Sequence, residues 1–259
     1  MANSKIEWTD KVWNPCTGCA KVSAGCKNCY AEVLAKRFWK ERKFTDVICH
    51  EDRLTQPLHW NKPVKIFVNS MSDLFHEKVP FAFIDSVYEV MGFSTQHIFQ
   101  ILTKRPERAL EYYNWTNIFK AWGKWDNIWF GVSVEDNLSL KRVEILQKVP
   151  AAVRFLSVEP MLEKIELYRV FNKKDIHQYW REEMHSQIDW VIVGCESGAN
   201  RRHCQIEWIE NIVEQCKAAN VPVFVKQINI NGKVVKNIED FPVGLQIREF
   251  PKSMEITYD

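Results

Sequence analysis

The chain of 259 residues is 46% hydrophobic and 26% charged, with a formal net charge of +2. That is the balance of an ordinary globular protein with room for one α/β barrel or two small domains. It excludes a nucleic-acid reading based on overall charge, so any such reading must rest on a local feature. The opening MANSKIEWTD has no apolar signal core, and no apolar run approaches membrane-spanning length. A soluble cytoplasmic protein with no membrane association is expected. Half of the eight cysteines fall within residues 16–29. That clustering argues against an extracellular disulfide scaffold and for thiols kept free in a reducing compartment.

Residues 5–15 predict a first strand, and Pro15 and Gly18 mark the turn out of it. Cys16, Cys19, Cys26 and Cys29 follow at C-x2-C-x6-C-x2-C spacing, a pattern for a soft metal or an iron–sulfur cluster. Next comes YAEVLAKRFWKERK, in which Leu34, Phe38 and Trp39 recur at helical spacing with Lys and Arg between them. The N-terminal end of such a helix favours thiolate over thiol.

After an irregular stretch at 44–63, short apolar runs close one after another on polar residues. The run 65–71 leads to Ser72 and Asp73; 98–102 leads to Thr103, Lys104 and Arg105; and 128–132 leads to Ser133, Glu135 and Asp136. Farther on, 154–156 leads to Ser157 and Glu159, 190–193 to Gly194, Cys195, Glu196 and Ser197, and 221–225 to Lys226 and Gln227. Helix-like segments lie between them at 81–92, 106–113, 138–149 and 206–219. Continuous apolar strands alternating with helices predict a parallel sheet, as a partial or full (β/α) barrel over 1–228. The polar residues sit at the C-terminal strand ends, where such barrels build their sites. Helix capping alone accounts for Asp136 and Asn137, but poorly for Lys104, Glu159 and Lys226.

Two segments interrupt the alternation. Residues 112–127 interleave aromatics with Lys, as a stacking surface for nucleic acid or a loop packed on the barrel wall. Residues 163–187 are charged and carry no assigned chemistry. The Asn231–Gly232 pair predicts a hairpin in a C-terminal appendage, 229–259, that covers one end of the barrel. The eleven tryptophans read as large core residues or as stacking platforms.

The cysteines allow two sites. A structural zinc would take all four thiolates in a closed tetrahedron, making the chain a zinc-stabilised nucleic-acid-binding protein without redox chemistry. A cluster with one open iron would take three and belongs at the mouth of a barrel. With its cysteine loop after the first strand, ending CKNCYAE and followed by α/β repeats, the chain resembles radical S-adenosylmethionine (SAM) enzymes, distantly spore photoproduct lyases. The segments IEWTD, WNPCTGC, FVNSMSDLFH, LTKRPERA, RFLSVEPML, WVIVGCESG and VPVFVKQ are similar to a largely uncharacterised phage and prophage family assigned to that group. The usual C-x3-C-x2-C is replaced here by Cys19-x6-Cys26-x2-Cys29.

The resemblance implies that Cys19, Cys26 and Cys29 hold a [4Fe–4S] cluster whose fourth iron is chelated by the amino and carboxylate groups of SAM. Reductive cleavage of SAM to a 5′-deoxyadenosyl radical and hydrogen abstraction from a substrate would follow, the substrate class including a nucleic-acid base or lesion. An electron donor of flavodoxin or ferredoxin type is implied. Asn69, Ser70, Met71, Ser72 and Asp73 fall at the expected amino-group site, and Ser133 and Glu135 at the ribose. Ser157 and Glu159 would hold the SAM carboxylate side or the substrate, and Lys104 and Arg105 would pair with that carboxylate or a substrate phosphate. Lys104, Glu196 and Cys195 are the catalytic candidates, Cys195 as a hydrogen-atom donor or else a buried thiol, and Lys226 and Gln227 complete the rim. Cys16 is a bystander, a fourth ligand or a thiol used in turnover. Cys49, Cys204 and Cys216 read as structural, and His76 as a ligand contact or an ordinary polar residue.

Overall fold

The computed structural model describes residues 4–118, 125–171 and 188–251, so parts of the aromatic–basic segment, of the charged segment and of the C-terminal tail lie outside the described residues. The fold is mixed α/β. Ten strands are described: β1 (Lys11–Trp13), β2 (Cys16–Thr17), β3 (Ile48–Cys49), β4 (Lys65–Val68), β5 (Ile98–Thr103), β6 (Ile128–Ser133), β7 (Val153–Val158), β8 (Trp190–Gly194), β9 (Val223–Ile230) and β10 (Lys233–Val235). Eight of them form a sheet in the order β1-β4-β5-β6-β7-β8-β9-β10, while β2 and β3 pair separately. Among the described residues this hydrogen-bonded order is an open series. The chain divides into two compact units, with β6 split between them at Gly131 and Val132.

In the first unit β1, β4 and β5 are parallel, with Trp13 opposite Val68 and Val68 opposite Ile101. β4 and β5 are largely apolar without alternation because both their faces are covered. Helices α1 (Tyr30–Phe38), α2 (Phe81–Phe93) and α3 (Pro106–Trp115) belong to the same unit. Tyr112 on α3 is fully buried, its ring stacked on Tyr88 with centroids 5.4 Å apart and its hydroxyl donating to Asp85 at 2.7 Å. Tyr112, the first residue of the aromatic–basic segment, is therefore core, while Trp115 is exposed. Trp8, Trp13 and Trp60 are buried in this unit too, which settles them as core residues.

Helix α1 departs from its sequence pattern. An apolar stripe ordinarily marks the face a helix turns to the core. Here Ala31 and Ala35 are the buried residues, while Leu34 and Phe38 are exposed. Only the small side chains are buried on the packed face.

In the second unit β7, β8 and β9 are parallel and β10 returns antiparallel from a two-residue turn. Asn231 and Gly232 both take positive φ, 49° and 77°, as the right-handed twist of a two-residue hairpin requires. The short helices α4 (Lys141–Leu146) and α5 (Tyr168–Phe171) precede α6 (Ile206–Ala218), which buries Ile209, Ile212, Val213 and Cys216 along one face. The described part of 229–259 belongs to this unit. Its end lies along the start of β9: Val225 N–H donates to Ile247 O at 2.9 Å and Glu249 N–H to Val223 O at 3.0 Å. Trp190 closes the arrangement, its Nε1–H donating to Glu249 O at 2.8 Å and its ring stacked on Phe250.

Candidate functional site

The cysteine loop is built by short backbone ties within the first unit. Cys16 lies on β2 directly opposite Cys49 on β3, and its Sγ donates to Cys49 Sγ at 3.9 Å. The hydrogen bond to Cys49 and burial push the Cys16 pKa far up, so it stays a thiol. Thr17 is gripped by Arg42, which donates to both its Oγ1 (2.9 Å) and its carbonyl (2.8 Å), and by His50 at 2.7 Å. Gly18 then takes a left-handed φ of 95°, its N–H donating to Met71 O at 2.9 Å and its carbonyl accepting from Ser72 Oγ at 2.8 Å. The loop is thus pinned to the segment that follows β4.

Only glycine fits there. A Cβ on Gly18 would lie 2.4 Å from Asp46 O. Gly18→Ala is expected to cost at least the roughly 1–3 kcal/mol of a non-glycine residue held in this region, plus the clash. Urea denaturation would measure it, and a loss under about 0.5 kcal/mol would mean the loop can move aside.

Beyond Gly18, Cys19, Cys26 and Cys29 are free and half-buried. Cys26 ends a single 3-10 turn, Ala24–Cys26, and Cys29 is the N-cap of α1. Cys19 Sγ donates to Ala20 O at 3.4 Å. Its pKa is pushed up to about 11 by burial and by Asp73, against the pull of Arg105.

Asp73 organises the other side of this loop. Its Oδ1 accepts from Phe75 N–H (3.0 Å) and Thr103 Oγ1 (2.8 Å), and its Oδ2 from Lys104 N–H (3.0 Å) and Arg105 Nη1 (3.1 Å). Four donors fill the four lone-pair positions of a carboxylate. Arg105 reaches on to the cysteine loop, donating to Ala20 O at 2.9 Å and standing 3.5 Å from Cys19 Sγ. Of the predicted neighbours, Asn69 is buried at the end of β4 with φ 63°, its Oδ1 accepting from Cys16 N–H at 3.1 Å. Ser70 donates to Asn14 Oδ1, and its carbonyl accepts from Tyr30 OH at 2.8 Å. In the segment that follows β4, the buried donors Asn69 Nδ2 and His76 Nε2 have no partner among the described residues. His76 Nδ1 accepts from Lys78 N–H at 3.1 Å, so the proton sits on Nε2. Burial, and then Arg105, lower the His76 pKa and keep the ring neutral.

The second unit holds the other predicted residues. Glu135 is fully buried and ion-paired to Arg142, which also donates to Ser133 O at 2.7 Å. Ser157 is buried at the end of β7, its carbonyl accepting from Val134 N–H at 2.9 Å. Glu159 accepts twice from Lys226 Nζ, at 2.7 and 2.8 Å, and once from Gln227 Nε2. Gln227 Nε2 bonds Cys195 O at 2.6 Å and lies 3.4 Å from Glu159 Oε1, while Gln227 Oε1 is buried without a partner among the described residues. The fold therefore brings Glu159, Lys226, Gln227 and Cys195 together. Burial, then Cys204 and Glu159, push the Cys195 pKa up to about 12, so the group is a thiol. Cys204 and Cys216 are likewise buried thiols raised to about 12. Glu196 is bound by Arg202, which donates from its N–H (2.8 Å) and Nε (3.0 Å). Arg202 is thus committed to a neighbouring carboxylate.

Sequence reasoning missed Arg142, Arg42 and Asn14. Each is an ordinary surface-type residue by pattern, and each acts through a backbone or carboxyl partner that only the fold supplies.

Among the described residues no three His, Cys, Asp or Glu side chains form a group able to hold a metal ion. The donor chemistry nonetheless fits a thiolate-bound cluster. Three free cysteines share one pinned loop, and unpartnered buried donors lie on residues of the segment beside it.

These features define an α/β protein with a mostly parallel sheet and a cysteine loop at the C-terminal end of its first strands. A family described as protein of unknown function (DUF5131) matches residues 3–241, and the chain belongs to that family. No curated protein and no solved structure matches it. Among the described residues no helix is long and apolar enough to cross a membrane.

Proposed function

We propose that the chain is a radical SAM enzyme whose sheet is part of a (β/α) barrel, acting in the reducing cytoplasm. The observation that carries this reading is the separation of the cysteines. Cys16 is drawn off to Cys49 across a two-stranded ribbon, leaving Cys19, Cys26 and Cys29 as a three-thiol set. Three ligands suit a [4Fe–4S] cluster with one open iron, while a closed zinc site needs a fourth. When bound, the cluster supplies an electron for reductive cleavage of SAM and hydrogen abstraction from the substrate.

The chain's own residues supply holding and orientation. The ties at Gly18 fix where Cys19 enters. Asn69 Nδ2 and His76 Nε2 are donors suited to an anionic group such as the SAM carboxylate. Asp73 is saturated by protein donors, so in this reading it anchors Arg105 and the end of β5 rather than the SAM amino group. Glu135 and Glu196, each ion-paired to an arginine, anchor Arg142 and Arg202 in this reading as Asp73 anchors Arg105; Ser133, Ser157, Glu159, Lys104 and Cys195 keep the roles the resemblance implies, and the substrate reading of a nucleic-acid base or lesion rests on the resemblance and the local basic and aromatic residues.

Anaerobic reconstitution tests the reading. The wild-type chain is expected to bind roughly four irons, and Cys16→Ser to bind as many. SAM should yield 5′-deoxyadenosine under reduction. One colourless zinc held by four thiolates, lost in Cys16→Ser, would replace this reading with the zinc-stabilised binding protein.

A further inference from the structure

The face of α1 turned away from the core has the wrong character for solvent. Tyr30, Val33, Leu34, Arg37 and Phe38 fall at i, i+3, i+4, i+7 and i+8 and form one stripe. Tyr30 is 45% exposed, Val33 62%, Leu34 38% and Phe38 66%. Val22, in the cysteine loop, is exposed as well. Scattered exposed apolar residues mean little, but an apolar helix stripe beside polar residues marks an interaction surface.

The charge around the stripe narrows the partner. Residues 20–43 carry five lysines and two arginines against two glutamates, a net +5 in a chain whose total is +2. Lys21 and Lys36 share Glu32, at 3.0 Å each, and Arg42 is turned inward onto Thr17. Lys27, Arg37, Lys40 and Lys43 are exposed. An apolar centre with a basic rim suits an acidic protein that has an apolar contact patch. Nucleic acid would match the rim, but its phosphates give Val33 and Leu34 nothing to bury against.

The helix also begins at the residue after Cys29. A partner seated on the stripe would therefore be one short element away from a proposed cluster ligand. We propose that α1 is the docking face for an acidic one-electron donor protein, of flavodoxin or ferredoxin class. This rests on the iron–sulfur reading above. In the step, the donor's flavin or iron–sulfur centre loses one electron and the cluster gains it; no bond forms or breaks.

Isothermal titration of the reconstituted chain with an acidic flavodoxin tests the docking, and stopped-flow reduction of the cluster by flavodoxin hydroquinone tests the transfer. One-to-one binding that weakens with added salt is expected. Val33→Ser/Phe38→Ser and, separately, Arg37→Glu should each weaken it by about tenfold or more and slow flavodoxin-driven reduction, with dithionite-driven reduction unchanged. Far-UV circular dichroism checks that both variants fold. Absent flavodoxin binding, or binding and reduction unaffected by both variants, overturns the proposal. So does a single-stranded oligonucleotide whose binding falls in the variants in place of the flavodoxin's, or a wild-type dimer that Phe38→Ser dissociates in sedimentation. An iron-free chain that binds flavodoxin with the same variant pattern would sink the radical reading and leave the docking face standing.

Discussion

Asp73→Ala is expected to remove about 3–5 kcal/mol of stability, because it strips from the mostly covered Arg105 the carboxylate it pairs with among the described residues. Asp73 and Arg105 are both poorly exposed and 3.1 Å apart. The same substitution orphans Thr103 Oγ1, Lys104 N–H and Phe75 N–H. Each unsatisfied buried donor carries its own desolvation cost. Equilibrium urea unfolding measures the total, and a loss below about 1 kcal/mol would show that water replaces the carboxylate cheaply. Asp73→Asn is the informative companion. It keeps the acceptor and the shape while removing the charge, so it should fall between wild type and alanine. A second readout separates stability from site geometry. Arg105 freed of Asp73 loses its support beside Cys19, and the rate at which a thiol reagent modifies Cys19 should change.

Loss of bound iron is the second large effect. Cys26→Ala is expected to take the reconstituted chain from roughly four irons to fewer than one, with SAM cleavage abolished. Cys19→Ala and Cys29→Ala should behave alike. The contrast lies with Cys49→Ala, which removes only the acceptor of the Cys16 hydrogen bond and should leave the iron in place. Iron analysis with the charge-transfer absorbance of the cluster reads all four variants. Full iron retention in Cys26→Ala would remove the three-thiol site. Equal loss in Cys49→Ala would enlarge it to include the β2–β3 ribbon.

The mostly parallel sheet was legible because burial on both faces writes a continuous apolar run. The runs at 65–71, 98–102, 128–132 and 190–193 became β4, β5, β6 and β8, and each closes on the polar residues expected at its end. Local chemistry was legible too: Asn231–Gly232 turns a hairpin, and the helix-like segment 206–219 is α6. Contacts across long separations were not. Nothing in the spacing of Cys16 says that it will face Cys49, 33 residues on, and Arg105 meets the cysteine loop from 85 or more residues away. The carboxylates show the same limit. Asp73, Glu135 and Glu196 could be read as strand-end acids, but their occupation by Arg105, Arg142 and Arg202 depends on how the chain returns. Helix α1 misleads for a different reason. Periodicity identifies an apolar stripe but not the body that covers it, and here Ala31 and Ala35 take the inner positions.

The seam at the start of β9 sets an order on synthesis. Trp190 finds its indole acceptor 59 residues later, at Glu249, and Phe224 and Trp190 both meet the ring of Phe250. A nascent chain that has just released α6 and β9 from the ribosome still lacks that seal, with two aromatic rings and a strand margin open to other chains. Before that seal forms, this half presents apolar surface of the kind that makes folding intermediates prone to aggregate.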